Sequence, residues 1–142
     1  MKISAKKDFE KLLNSARLKK TSPRIVILSV LSHTDMPLAV PQIAAKLGVS
    51  APDKVTIYRT CRTLVKKGLV HKAYLHKRSC YFELASRCSE SQCHPHFTCL
   101  DCGKTHCMPE IILPMAKSAN KGFLISHQQV RLEGLCPRCS TK

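Results

Sequence analysis

The chain has 142 residues, room for one ordinary domain or two small ones. Its 24 Lys and Arg against 9 Asp and Glu leave a net charge of +15, which points to a polyanionic partner, usually nucleic acid and sometimes an anionic membrane. The longest largely apolar run, Ile25–Leu31, is far too short to span a bilayer, and Met1–Leu13 mixes Lys, Asp and Glu through its apolar residues with no signal-peptide core. A cytoplasmic protein with no membrane partner is therefore expected. In a reducing compartment its 9 cysteines read as metal ligands or redox thiols rather than disulfides.

Charge and cysteine are distributed in opposite senses. Residues 1–82 hold 17 basic and 4 acidic residues, whereas 83–142 hold 7 and 5. Only Cys61 and Cys80 precede residue 83. Two compositions imply two jobs, and the division is expected as 1–84 and 85–142.

The first half reads as a series of helices. Phe9, Leu12, Leu13 and Ala16 recur at helical spacing and predict a helix over Lys6–Leu18. Ser22-Pro23 looks like a cap followed by a first-turn proline, opening a helix over Arg24–Ser32 with Ile25, Ile27, Leu28 and Leu31 for the core. Asp35-Met36-Pro37 breaks it. Val40-Pro41 opens a short helix, Gln42–Leu47, which stops at Gly48. After a turn through Val49–Pro52, Asp53 caps a helix over Lys54–Lys67, ended by Gly68.

A short helix, a turn and a longer helix make a helix-turn-helix, whose last helix reads base edges in the major groove. The side chains placed to do so are Lys54, Thr56, Tyr58, Arg59 and Arg62, while Ile57, Cys61, Leu64 and Val65 fall on a core-facing stripe. Leu69–Leu75 and Ser79–Leu84 alternate as two strands around His76-Lys77-Arg78. That basic hairpin completes a winged-helix pattern, with Lys77 and Arg78 near phosphates.

The second half carries Cys99-Leu-Asp-Cys102 and Cys136-Pro-Arg-Cys139. Two such knuckles supply four thiolates, the closed tetrahedral set of a structural zinc. Folded structure must fill the long interval between them, and a helix around Leu113–Lys121 with a strand around Phe123–Leu132 is expected there. His71, Cys88, Cys93, His94, His96, His106, Cys107, Glu110 and His127 remain as further donors. In an extended segment His94 and His96 point to one side and can reach one metal. A mixed Cys/His site suits Zn(II).

These residues, taken in order, resemble the ferric uptake regulator family. The resemblance rests on Thr21-Ser-Pro-Arg24, Val55-Thr-Ile-Tyr-Arg59, Gly68-Leu-Val70, Tyr81-Phe-Glu83, His94-x-His96-x-x-Cys99-x-x-Cys102-Gly-Lys104 and Gly134-Leu-Cys136-x-x-Cys139. It implies an α+β fold: an N-terminal winged helix-turn-helix domain, then a small α/β dimerisation domain with a structural zinc. It implies a homodimer on double-stranded, AT-rich operator DNA, repressing when loaded with its regulatory metal, and no enzyme. It assigns Tyr58 to a base and Arg59 to a phosphate, brings Lys19 and Lys20 near the DNA backbone or minor groove, and gives Cys99, Cys102, Cys136 and Cys139 the structural metal.

The regulatory site separates the family's branches. Iron sensors resemble one another in a His near the position held here by Pro37. His71, Cys88, His94 and His96 instead resemble the zinc uptake regulator branch, so zinc is expected at one structural and at least one regulatory site per subunit. Glu83 keeps a position used by iron sensors, leaving Fe(II) or Mn(II) open at the regulatory site. A third family site is matched by His127 alone and would otherwise draw on Cys93, Cys107 or Glu110; Cys107 stands where many members have Glu. Two readings of other classes are a thiol redox sensor and a zinc hydrolase, the latter opposed by the lack of a general base beside the cluster.

Overall fold

A computed structural model describes residues 6–87, 94–116 and 122–142. The chain divides into two compact units, Met1–Ser86 and Arg87–Lys142.

In the first unit, helix α1 (Lys6–Ser15) buries Phe9 and Leu13. It ends three residues before the expected Leu18 because Arg17 turns left-handed at φ +55. The Leu18 and Arg17 N–H groups then close back on the Leu13 and Asn14 carbonyls, each at 2.9 Å. Helix α2 (Ser22–Ser32) starts earlier than expected: Thr21, not Ser22, is the extended cap residue, and its side chain makes no capping bond. Strand β1 (Leu38–Ala39) was not anticipated, since two residues carry no periodicity. Helix α3 (Val40–Leu47) begins at Val40 because the Gln42 side-chain oxygen accepts from the Ala39 N–H at 2.8 Å.

Helix α4 (Lys54–Lys66) is capped as expected: Asp53 accepts from the Thr56 N–H at 3.0 Å. At its far end Gly68, at φ +71, lets the Gly68 and Leu69 N–H groups reach the Val65 and Leu64 carbonyls, each at 3.0 Å. Strands β2 (Val70–His76) and β3 (Ser79–Leu84) pair antiparallel, with a bulge between Lys72 and Tyr74, and β1 adds to the free side of β3. The turn between them is only Lys77-Arg78, both at positive φ. Phe9, Leu13, Ile27, Leu28, Leu31, Ile43, Ile57, Cys61, Leu64 and Phe82 form the core beneath these elements.

The second unit is a three-stranded sheet. Strand β4 (His96–Cys99) lies between β5 (Thr105–Cys107), antiparallel, and β6 (Arg131–Gly134), parallel. A short helix α5 (Pro137–Ser140) follows. The expected strand over Phe123–Leu132 is reduced to β6 and shifted to residue 134; residues 123–127 are irregular and exposed. The expected helix over Leu113–Lys121 is absent across its described part, 113–116. There the Gln128 side chain accepts from the Ala116 N–H at 2.6 Å and donates to the Pro114 carbonyl at 3.1 Å, drawing local polar groups out of a helical ladder. Residues 117–121 lie outside the described set.

Candidate functional site

The reading surface begins with α4. The apolar stripe Ile57, Cys61 and Leu64 turns into the core, leaving Lys54, Tyr58, Arg59 and Arg62 exposed. Tyr58 is 43% exposed, large for an aromatic ring with no structural reason to face water. The Arg62 guanidinium lies 5.9 Å from the Tyr58 ring centroid, a cation–π contact that holds both groups to one side of the helix. Thr56 is differently employed. Its hydroxyl donates to Asp53 at 2.6 Å, so it completes the cap and is not a free base reader. The same two bonds from Thr56 hold the Asp53 carboxyl below its ordinary range.

Lys66 and Lys72 were missed by sequence reasoning. With Arg59, Arg62 and Thr63 they line a cleft of about 530 Å³ beside α4 and β2. Helical spacing already places residues 59, 62, 63 and 66 on one face, so the Lys66 contribution was available as a signal; Lys72 needed the strand's position. Lys19 and Lys20 are exposed between α1 and α2, Lys20 at 3.6 Å from Glu10. Lys77 and Arg78 stand exposed at the hairpin tip.

Four cysteines meet in the second unit. The knuckle after β4 is closed by the Gly103 N–H donating to the Cys99 carbonyl and the Cys99 N–H donating to the Lys104 carbonyl, both at 2.9 Å. The second knuckle opens α5, with the Cys139 N–H on the Cys136 carbonyl at 2.9 Å. The Sγ atoms of Cys99, Cys102, Cys136 and Cys139 all lie within 4.8 Å of one another. Cys102 and Cys136 are 3.9 Å apart, against about 3.8 Å for the edge of a tetrahedron with metal–sulfur bonds of about 2.3 Å. The donor set fits one tetrahedral ion. Backbone N–H groups of Cys102 and Cys136 hold the Cys99 thiol down to about 6, while a hydrogen bond to the Asp101 carboxylate pushes the Cys139 thiol up.

A second set lies on the other face of the same sheet. Phe97 and Cys99 point toward the cysteine cluster; His96 and Thr98 point away from it. His96 pairs in register with Cys107, and Thr98 shares a 3.3 Å hydrogen bond with Thr105. The His94 and His96 ring centroids are 4.6 Å apart. The ring nitrogens of His94 and His96 and the Cys107 sulfur all lie within 4.8 Å of one another.

In the first unit His71 and Glu83 face each other across β2 and β3, with Nε2 and Oε1 2.9 Å apart and Glu83 fully buried. His106 belongs to the face opposite His96, beside the Phe97 ring at 6.5 Å. Glu110 and His127 are exposed and join neither group of metal-capable donors among the described residues. Cys88 and Cys93 lie outside the described residues.

An exposed cationic reading helix with a wing, joined in one chain to a unit with clustered metal donors, defines a class: metal-responsive transcriptional regulators. The model of the ferric uptake regulator family matches residues 15–133, and the chain belongs to that family. It is 28% identical over 141 residues to the ferric uptake regulation protein of Campylobacter upsaliensis, covering 94% of this chain and 88% of that one. The Helicobacter pylori ferric uptake regulator, whose structure is described as having three functional metal-binding sites, aligns with a TM-score of 0.66 at 20% identity, covering 99% of this chain and 97% of that chain. A zinc uptake regulator complexed with zinc and DNA aligns with a TM-score of 0.65 at 21% identity, covering 96% and 93%. The protein is thus a metal-responsive transcriptional regulator and not an enzyme.

Proposed function

We propose that the chain is a zinc-responsive repressor that binds operator DNA as a homodimer. The observation that carries this reading is the presence of two donor sets on opposite faces of one small sheet. The all-sulfur set suits a permanent structural zinc. The set containing the paired imidazoles of His94 and His96 suits a metal that comes and goes, with His71 and Cys88 as its further ligands. Because His71 belongs to the reading unit, metal occupancy shifts the population of DNA-competent arrangements, and operator binding tightens the metal in return.

Tyr58 reads a base edge; Lys19, Lys20, Lys54, Arg59, Arg62, Lys66, Lys72, Lys77 and Arg78 hold phosphates. The exposed Ile112, Phe123, Leu124 and Leu135 of the second unit supply apolar surface for a second copy. An iron- or manganese-responsive repressor is the second reading, favoured by the buried Glu83 carboxylate beside His71.

The test is operator binding by fluorescence anisotropy under reducing conditions, with Zn(II), Fe(II) or Mn(II) titrated in turn. The operator would be selected from a pool of random duplexes by the zinc-loaded protein. Zinc is expected to tighten binding most. A Cys88→Ala, His96→Ala double variant that keeps full zinc-dependent binding would refute the ligand assignment. Tyr58→Ala should blunt discrimination between operator and random DNA, whereas Lys66→Ala should weaken both and lower the salt slope by about one.

A further inference from the structure

We propose that Cys107 supplies a thiolate to the regulatory metal, and that this sulfur tunes the site toward thiophilic ions such as Zn(II) and against Mn(II) and Fe(II). The inference rests on the regulatory-site reading above and adds a fifth donor, Cys107, to the four named there, giving a chemical reason for the zinc preference that reading already holds.

The geometry is local to one sheet. Cys107 is the last residue of β5 and the direct antiparallel partner of His96, so the two side chains project from the same face. His94 precedes His96 by two residues and turns its ring toward the same place. The two imidazoles and the thiol present donor atoms within 4.8 Å of one another. Zn(II) bonds of about 2.0–2.1 Å to nitrogen and about 2.3 Å to sulfur put adjacent donors roughly 3.1–3.6 Å apart. The donors lie no more than 4.8 Å apart, so side-chain shifts of roughly 1–2 Å at most close the set without moving the strands. Cys107 is half-buried and is not needed by the four-cysteine cluster, which lies on the opposite face.

The chemistry follows from the donor type. A thiolate and a carboxylate carry the same single charge, so Cys107→Glu would leave the site's charge unchanged while exchanging a soft donor for a hard one. Thiolate favours Zn(II), while oxygen donors suit Mn(II). Ligation breaks the Cys107 S–H bond, forms the metal–sulfur bond and releases one proton to solvent.

Cobalt(II) tests this directly, because a thiolate ligand gives a sulfur-to-cobalt charge-transfer absorption that nitrogen and oxygen ligands do not. The full chain is first loaded with one equivalent of Zn(II) to fill the four-cysteine cluster, and Co(II) is then added. Wild type, Cys107→Ser and Cys107→Glu are compared, with Cys88→Ser run alongside to separate the other sulfur assigned to this site. The proposal expects wild type to show the charge-transfer band, and each Cys107 variant to bind Co(II) with one thiolate's share of that band lost. Cys107→Glu should also narrow the preference for Zn(II) over Mn(II) in competition. If Co(II) binds and the band is unchanged in both Cys107 variants, Cys107 is not a ligand although the regulatory site stands. If no second Co(II) binds to any form, the regulatory-site reading fails and this inference with it.

Discussion

Removing the structural metal should unfold one unit and spare the other. The first unit is held by a continuous apolar core containing Phe9, Phe82, four isoleucine or leucine side chains from α2 and α3, and Leu64 from α4. Burying each such side chain contributes about 1.5–3 kcal/mol. Among the described residues of the second unit, the buried apolar cluster is Cys99, Cys136 and Cys139, with Phe97 packed against it. As apolar groups those cysteines contribute roughly 1 kcal/mol each, whereas a closed four-thiolate zinc site contributes about 10–16 kcal/mol at neutral pH. With zinc on the four cysteines, metal binding would therefore outweigh apolar burial in this unit several-fold. Cys102→Ser, or a strong chelator on the wild type, should abolish hydrogen-exchange protection across β4 and β6 and leave α2 and α4 protected. Loss of metal would be verified by newly reactive thiols at all four cluster cysteines in the chelated wild type and at the remaining three in Cys102→Ser. The reasoning is refuted if β4 and β6 amides keep their protection once the metal has left.

Two further outcomes follow from local geometry. Gly68→Ala places a side chain at φ +71, where nothing crowds the added carbon but the backbone conformation is costly; it should destabilise the first unit by about 1 kcal/mol and lower its midpoint by about 4–8 °C in a thermal melt. Asp53, whose carboxyl is held low by Thr56, stabilises the fold above its ordinary value of 3.8 and loses that contribution as pH falls through its lower folded value. Asp53→Asn should keep the cap but remove the acid-range titration from the Thr56 amide chemical shift measured by NMR; a persisting titration would place the charge elsewhere.

Most of the reading half was legible because its signals are local and redundant. Asp53 at the start of α4 and Gly68 after its end are independent markers that agree with the stripe of Ile57, Cys61 and Leu64 between them. Boundaries slipped where the deciding group was tertiary or unusual for its position, as with the left-handed Arg17 and the Gln42 bond to Ala39. The cysteine knuckles were equally plain, since their spacing encodes their geometry. The interval between them was not. Apolar residues such as Phe123, Leu124 and Ile125 suggest a buried strand, yet they are exposed in the isolated chain, and alternation cannot tell an intramolecular core from a surface kept for another molecule. The pairing of His96 with Cys107 was also invisible, because it depends on the register of β4 against β5.

That register gives the two donor sets unequal standing. Cys99 ends β4, the strand on which His96 begins, and Cys102 leads through Gly103 into β5, the strand that ends at Cys107. Cys136 follows β6, the remaining neighbour of β4. The four-cysteine cluster therefore clamps all three strands, including the two that set the spacing of His96 and Cys107. The second set joins only β4 to β5, through His96 and Cys107, and leaves β6 to the cysteine cluster. His96→Ala should abolish the second metal equivalent while β4 and β6 keep their exchange protection, whereas Cys102→Ser should cost the protein both equivalents. Retention of regulatory-metal binding in Cys102→Ser would show that His94, His96 and Cys107 are positioned by something other than the clamped sheet.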